Sequence, residues 1–174
     1  MHGPRGWKAE AQVILSMEVR FYEAVDDHLL RFAVIVSRFG EKWVFCKHRR
    51  RDTLEVPGGH REEGESILDT AKRELREETG AVRFLLSPVC VYSVTDNDGT
   101  KTFGMLYFAE IFKFSSNLEH EIEQICLMNT LPQCWTYPQI QPKLVAEVIR
   151  RGKICLECLG AEADIPPNET RGWA

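Results

Sequence analysis

Glu74, Glu77 and Glu78 sit three residues and one residue apart. On a helix, at 100° per residue, they fall within an arc of roughly 100°, so their carboxylates converge on one face. The surrounding stretch is more acidic still: from Glu62 to Glu78 it carries six glutamates and Asp69, against Lys72, Arg73 and Arg76. Like charges packed this closely repel, and the arrangement asks for cations. Hard oxygen donors select Mg2+ or Mn2+, which keep several waters and bridge readily to phosphate oxygens. Gly58 and Gly59 stand upstream, where glycine lets the main chain approach a ligand closely, so the Gly58 carbonyl is a candidate further ligand. The plainer reading is a solvated helix face with i,i+4 ion pairs such as Arg73 with Glu77, and it suits an isolated Glu-rich helix. The Pro57-Gly58-Gly59 turn ahead of the helix argues against it. Glu65 lies off the carboxylate arc and is expected to support the loop, while Arg73 orients a neighbouring carboxylate.

The elements that must position these groups follow from local pattern. "VILSMEVRFYEA" has strand character, and "LRFAVIVSRFGEKWVFCKH" reads as two strands joined at Phe39 to Lys42, with Gly40 in the turn. "TLEV" is a short strand that Pro57-Gly58-Gly59 ends and turns into a loop. From Glu65 to about Thr79 the period becomes helical, with Ile67, Leu68, Ala71 and Leu75 on one face and Gly80 as the stop. "VCVYSV" and "TFGMLYFAEIFKF" flank "TDNDGTK", where Asp98-Gly99 signals a hairpin. "EIEQICLMNTLP" is a short strand, and "YPQIQPKLVAEVIRRG" is a closing amphipathic helix with Leu144, Val148 and Ile140 inward. No repeat or low-complexity segment interrupts the chain.

At 174 residues and 44% hydrophobic, the chain suits one domain that buries a core without disulfides or structural metal. We expect an extension over 1–16, the domain over 17–152 and a tail over 153–174. A net charge of -4 argues against nonspecific wrapping of nucleic acid. Small anionic ligands remain compatible through a local site. The six cysteines form no dense framework and are read as reduced thiols of a cytoplasmic protein. Cys155 and Cys158 make a lone C-x-x-C without a second pair, which is too few ligands for zinc. No apolar run approaches a membrane span, and the first residues lack the apolar stretch of a secretory signal.

Gly59, five residues, Glu65, seven residues, then Arg73-Glu74-Leu75-Arg76-Glu77-Glu78-Thr79-Gly80-Ala81 resembles the Nudix box, G-x5-E-x7-R-E-U-x-E-E-x-G-U. Its seven fixed positions would match by chance about once in a million chains of this length. Ala81 departs slightly, since a bulkier aliphatic is usual there. The resemblance implies an α+β protein of the Nudix fold, a mixed β-sheet sandwiched between α-helices, with the box carrying the metals. It implies hydrolysis of a diphosphate linked to another moiety, X, by attack of water on phosphorus. Glu77 and Glu78 would then be metal ligands, Glu74 a ligand or the general base, and Arg73 part of the catalytic set. Many members recruit an acid from outside the box; Glu119, Glu121 and Glu123 are available, and Glu121 is favoured. In MutT-like members a basic residue ending the strand before the box touches phosphate, which Lys47 of "KHRRRD" matches. Gly59 is grouped with Lys47 at the substrate.

The marks of other subfamilies are missing: Asp96 stands where ADP-ribose members carry proline, and Asn97 and Asp98 stand where dinucleoside-polyphosphate members carry tyrosine. What remains resembles MutT-like nucleoside triphosphate pyrophosphohydrolases. "GEKWVFCKHRRRDTLEVPGGHREEGES" also resembles the YtkD-like bacterial group, associated with oxidised guanine nucleotides such as 8-oxo-dGTP. The expected partner is a small-molecule nucleotide; no DNA-binding domain and no membrane are expected. Glu55, Trp43 and residues of the closing helix are candidate base readers. The alternatives are another X-linked diphosphate (ADP-ribose, a dinucleoside polyphosphate or an RNA 5' end) and a non-catalytic ligand-binding module. An isomerase acting on isopentenyl diphosphate shares the fold, but the complete hydrolase box argues against it.

Overall fold

The computed structural model describes residues 17–115 and 122–152. The expected extension and tail, with Cys155 and Cys158, lie outside those residues.

The strands are β1 (Glu18–Tyr22), β2 (Leu30–Phe39), β3 (Lys42–His48), β4 (Leu54–Glu55), β5 (Gly58–His60), β6 (Ala81–Thr95), β7 (Lys101–Phe114) and β8 (Ile122–Met128). Helix α1 (Ile67–Thr79) lies between β5 and β6, and α2 (Gln141–Arg150) follows β8. The strands form one mixed sheet in the order β1-β6-β7-β2-β3-β4, with β5 paired to β2 and β8 to β3. Strands β2 and β7 run parallel, and the other pairs are antiparallel.

Period-2 alternation divides the core between two faces. Ala33 and Ile35 of β2, Val44 of β3 and Ala109 of β7 pack with Ile67, Ala71 and Leu75 of α1. Their neighbours Val36, Trp43, Phe45 and Leu106 pack with Leu144, Val145 and Val148 of α2. The sheet is therefore covered by a helix on each side, the α+β sandwich expected. Among the described residues no helix is long and apolar enough to cross a membrane.

Most local signals act as their chemistry dictates. Gly40 at φ 57° turns β2 into β3, and Gly99 at φ 84° closes the β6–β7 hairpin. The Ser66 hydroxyl accepts the Asp69 N–H at 3.1 Å as the cap of α1, and Gly80 ends that helix in the left-handed region at φ 69°. The helix thus begins two residues later than its periodicity predicts. Leu68 does not share the buried face: it stands about 100° round the helix from Ile67 and is 40% exposed, while Thr70 is fully buried.

Two strand segments escape the sequence pattern. β6 begins at Ala81, well before the "VCVYSV" run, because "AVRFLLSP" lacks alternation and contains Pro88. The ladder tolerates that proline at a register shift between Pro88 and Cys90. Gly58 to His60 form β5 rather than a loop, pairing with Phe32 to Val34 through main-chain groups that no side-chain pattern reveals.

Leu75 is fully buried beneath α1, so it fixes the height of the box helix over the sheet. Leu75→Ala is expected to lower the unfolding free energy by about 2–5 kcal/mol, measured by urea denaturation followed by circular dichroism.

Candidate active site

Glu74 and Glu78 are four residues apart and project within about 40° of each other on α1, towards β5 rather than into open solvent. Glycine makes this possible. A Cβ on Gly59 would stand 2.1 Å from Glu74 Oε1, so the carboxylate fills the space that any larger residue would take. A Cβ on Gly58 would meet the Ala33 carbonyl oxygen at 2.6 Å, so only glycine lets β5 lie this close to β2. The Gly58 N–H donates to Glu78 Oε2 at 2.8 Å. Gly58 thus meets the acidic cluster through its nitrogen.

Arg73 binds the acidic cluster together. Its Nε donates to Glu65 Oε1 at 2.8 Å, and Nη1 donates to Glu74 Oε1 at 2.8 Å and to Glu77 Oε2 at 3.3 Å. Nη2 donates to the His60 carbonyl at 3.0 Å, which ties α1 to the end of β5. Glu65 also accepts from the Thr70 hydroxyl at 2.8 Å and from the Glu62 N–H at 3.1 Å. The Arg73 hydrogen bond, with smaller help from Glu62 N–H and Thr70, holds the Glu65 carboxyl down at about 2 against some desolvation. Glu65 is thus committed to Arg73 and the loop.

The other two carboxylates behave oppositely. Burial pushes Glu78 up to about 8, with Glu74, Glu55 and Glu77 adding like charge and only the Gly58 N–H opposing. Burial also raises Glu74, against the pull of Arg73. A divalent cation beside them would reverse these shifts, since nearby positive charge favours the ionised form. Among the described residues no three acidic, histidine or cysteine side chains already stand in a metal-holding group. Glu74 and Glu77 are turned onto Arg73, and recruiting them to a cation requires exchanging that partner. The donor set of carboxylate oxygens still fits Mg2+ or Mn2+.

A cleft of about 510 Å³ opens from this acidic end. Gly58, Gly59, Glu55 and Glu78 line its polar end, and Val34, Val56, Tyr92, Val94, Ile140 and Leu144 make an apolar wall. Glu55 is 7% exposed and pairs with Arg51 at 3.2 Å. Arg51 in turn lies over the Tyr137 ring, 5.8 Å from its centroid, at the rim.

Several expected residues take other places. Lys47 faces Asp52 at 3.5 Å and is not among the cleft-lining residues, whereas His48 and Arg51 are. A bulge in the β3–β8 pairing between Lys47 and His48 redirects the strand end. Trp43 is no base reader: at 4% exposure it belongs to the core beneath α2, with Arg38 over its ring. Glu119 and Glu121 lie outside the described residues, and Glu123 falls within β8. Tyr137 and Gln141 lie in the stretch read as the closing helix, whose residues were candidate base readers, but the sequence named neither one individually. A tyrosine in a proline-flanked loop and a glutamine opening an apolar helix carry no spacing signal.

A family model described as the NUDIX domain matches residues 27–147. The chain belongs to the NUDIX family. A protein of Bacillus subtilis strain 168, provisionally named 8-oxo-dGTP diphosphatase YtkD, is 33% identical over 100 residues. That alignment covers 57% of this chain and 62% of the relative, so the chain spans less than two thirds of the relative's length. The crystal structure of the Bacillus subtilis pyrophosphohydrolase BsRppH superposes with a TM-score of 0.66 at 24% identity, covering 78% of this chain and 91% of that one. A NUDIX hydrolase from Nitrosomonas europaea does so with a TM-score of 0.59 at 20% identity, covering 76% and 97%. These neighbours share the NUDIX fold.

Gly59→Ala sets a test of the glycine cradle. The clash falls on a side-chain end that can swing away, so stability should change by less than about 1 kcal/mol. Displaced from β5, Glu74 should weaken Mn2+ binding at least about tenfold, measured by calorimetric titration alongside thermal melting.

Proposed function

We propose that this protein is a metal-dependent pyrophosphohydrolase acting on a nucleoside triphosphate, releasing the monophosphate and pyrophosphate. One observation carries the reading: Glu78 and Glu55 stand with the Gly58-Gly59 strand at one end of the cleft, and Val34, Val56, Tyr92, Val94, Ile140 and Leu144 give it an apolar stretch beyond them. A phosphate chain suits the first part and a nucleobase the second. The naming of the Bacillus subtilis relative as an 8-oxo-dGTP diphosphatase supports a nucleotide of this class.

In this reading Glu74, Glu77 and Glu78 hold the cation, with Glu121 as the proposed acid from outside the box. A bound Mg2+ or Mn2+ would neutralise the diphosphate and lower the pKa of the attacking water. Glu74 serves as a ligand or as the proton acceptor. Arg73 holds Glu74 and Glu77 in register until they are needed, and Glu65 holds Arg73. Arg51 places positive charge at the cleft rim beside Glu55, where a phosphate oxygen can exchange with the carboxylate. The apolar wall excludes water from the base.

The test uses GTP and ATP with excess Mg2+, product identification and a chelator control. Turnover should vanish with chelator, and pyrophosphate should appear with the monophosphate; orthophosphate as first product would overturn the reading. Glu78→Gln or Glu77→Gln should cut kcat at least about a hundredfold, the scale of lost electrostatic stabilisation in the transition state. Glu65→Gln should cost much less, because it loosens Arg73 without removing a proposed ligand. Equal losses with folding intact would refute that division.

A further inference from the structure

Among the apolar side chains that α2 turns to the cleft stands a buried amide. Gln141, the first residue of α2, is 6% exposed and lines the cleft beside Ile140 and Leu144. Its Oε1 accepts the Val56 N–H at 3.3 Å. Because that partner is a donor, it fixes which way the amide faces: oxygen to the main chain, nitrogen away from it. The two Nε2 hydrogens are therefore the part of the amide left to donate into the cleft.

Burying a primary amide in an apolar wall costs free energy unless its hydrogens find acceptors. The Val56 N–H alone would be satisfied by water or by a loop carbonyl, and it does not require a long side chain from another element. Val56 is also two residues from Gly58, at most about 7 Å along an extended chain. A single nucleotide can reach both the amide and the acidic end.

Resting on the nucleotide reading above, the structure assigns to Gln141 the reading of the base: its Nε2 donates to a carbonyl oxygen on the base edge and so selects 6-carbonyl purines over 6-amino purines. A carbonyl at that position accepts the hydrogen bond. The amino group of adenine places a donor against a donor and leaves both unsatisfied. Selection of this kind uses the fixed orientation of the amide, since an amide free to flip could present its oxygen to adenine equally well. The Val56 N–H supplies that orientation, which makes Val56 and Gln141 one device.

The test measures binding of guanosine, inosine and adenosine monophosphates to the full chain with Mg2+ by calorimetry, and independently the release of pyrophosphate from GTP, ITP and ATP. Inosine carries the 6-carbonyl without the 2-amino group of guanine, so it isolates the contact. Inosine and guanosine monophosphates should bind within about threefold of each other and about tenfold tighter than adenosine monophosphate, the scale of one buried hydrogen bond. In Gln141→Leu the ratio of inosine to adenosine binding should fall to within about twofold of one. Inosine monophosphate binding no tighter than adenosine monophosphate in the wild type would overturn the inference without any variant. So would an unchanged ratio in a folded Gln141→Leu protein, since a purely structural glutamine would weaken all three together. The two readings fail separately. Selective monophosphate binding without pyrophosphate release from GTP removes the proposed activity and leaves Gln141 as the reader, whereas equal kcat/KM on GTP and ATP with equal binding removes the reader and leaves the activity.

Discussion

Two carboxylates of α1 lie against the main chain of β5, one accepting the Gly58 N–H at 2.8 Å and the other filling the space that a side chain on Gly59 would occupy. An amphipathic helix ordinarily turns apolar residues to its sheet. Here the same face carries Ala71 and Leu75 over β2 and then Glu74 and Glu78 over β5, because the strand beneath changes from Ala33 and Ile35 to paired glycines. The close approach of β5 to β2 depends on Gly58 in turn, since any Cβ would strike the Ala33 carbonyl. Helix position, sheet pairing and carboxylate placement thus share one requirement, the absence of two side chains.

The repulsion that follows is handled by Arg73. Its planar guanidinium reaches Glu65, Glu74, Glu77 and the His60 carbonyl at once, which a lysine could not do with comparable geometry. The contacts differ in consequence. Glu65 is held on both oxygens by Arg73, Thr70 and the Glu62 N–H, and is fixed. Glu77, 42% exposed in its side chain and contacted at 3.3 Å, is held loosely. Glu78 has the Gly58 N–H and, among the described residues, no arginine contact, and its charge is the one that burial opposes most. The cluster is therefore graded, from a carboxylate held by several protein donors to one whose ionised form has the Gly58 N–H against burial.

What was legible in the sequence was whatever side-chain spacing dictates. The period-3.6 run of α1, its serine cap, the Gly80 stop and the Asp98-Gly99 hairpin are local, and they fold where their chemistry places them. The strands of β2 and β3 alternate clearly and meet opposite helices. The strand formed by Gly58 to His60 was illegible because its pairing uses only main-chain groups, and the first half of β6 because Pro88 masks a strand that continues past a shift in register. At the site, acids clustered within one helix were visible as a group, whereas the cleft draws Tyr137 and Gln141 from a loop and a helix some sixty residues further on. Their proximity to Val56 is set by the crossing of the sheet, which no local pattern encodes. Lys47 and Trp43 show the converse: residue type suggested phosphate and base, but a bulge and strand parity turned one to Asp52 and the other into the core.

Placement of the cleft explains why the two helices need different chemistry at their sheet-facing ends. The acidic end of α1 packs on the glycines of β5 and carries carboxylates in place of large apolar groups. At the first turn of α2, Ile140 and Leu144 pack inward, and beside them the buried Gln141 amide accepts the Val56 N–H. The β4–β5 connection runs between them, with Glu55 and Val56 facing α1 and α2 influences in turn and Gly58 following within two residues. A small shift of that connection moves the acid end and the apolar end together. Its main-chain groups are correspondingly well anchored: the Leu54 N–H donates to the Cys134 carbonyl at 3.0 Å, and the Pro57 carbonyl accepts the Ile35 N–H at 2.8 Å. These bonds tie the segment to the loop before α2 and to β2, so the acidic and apolar ends of the cleft keep one relation to each other.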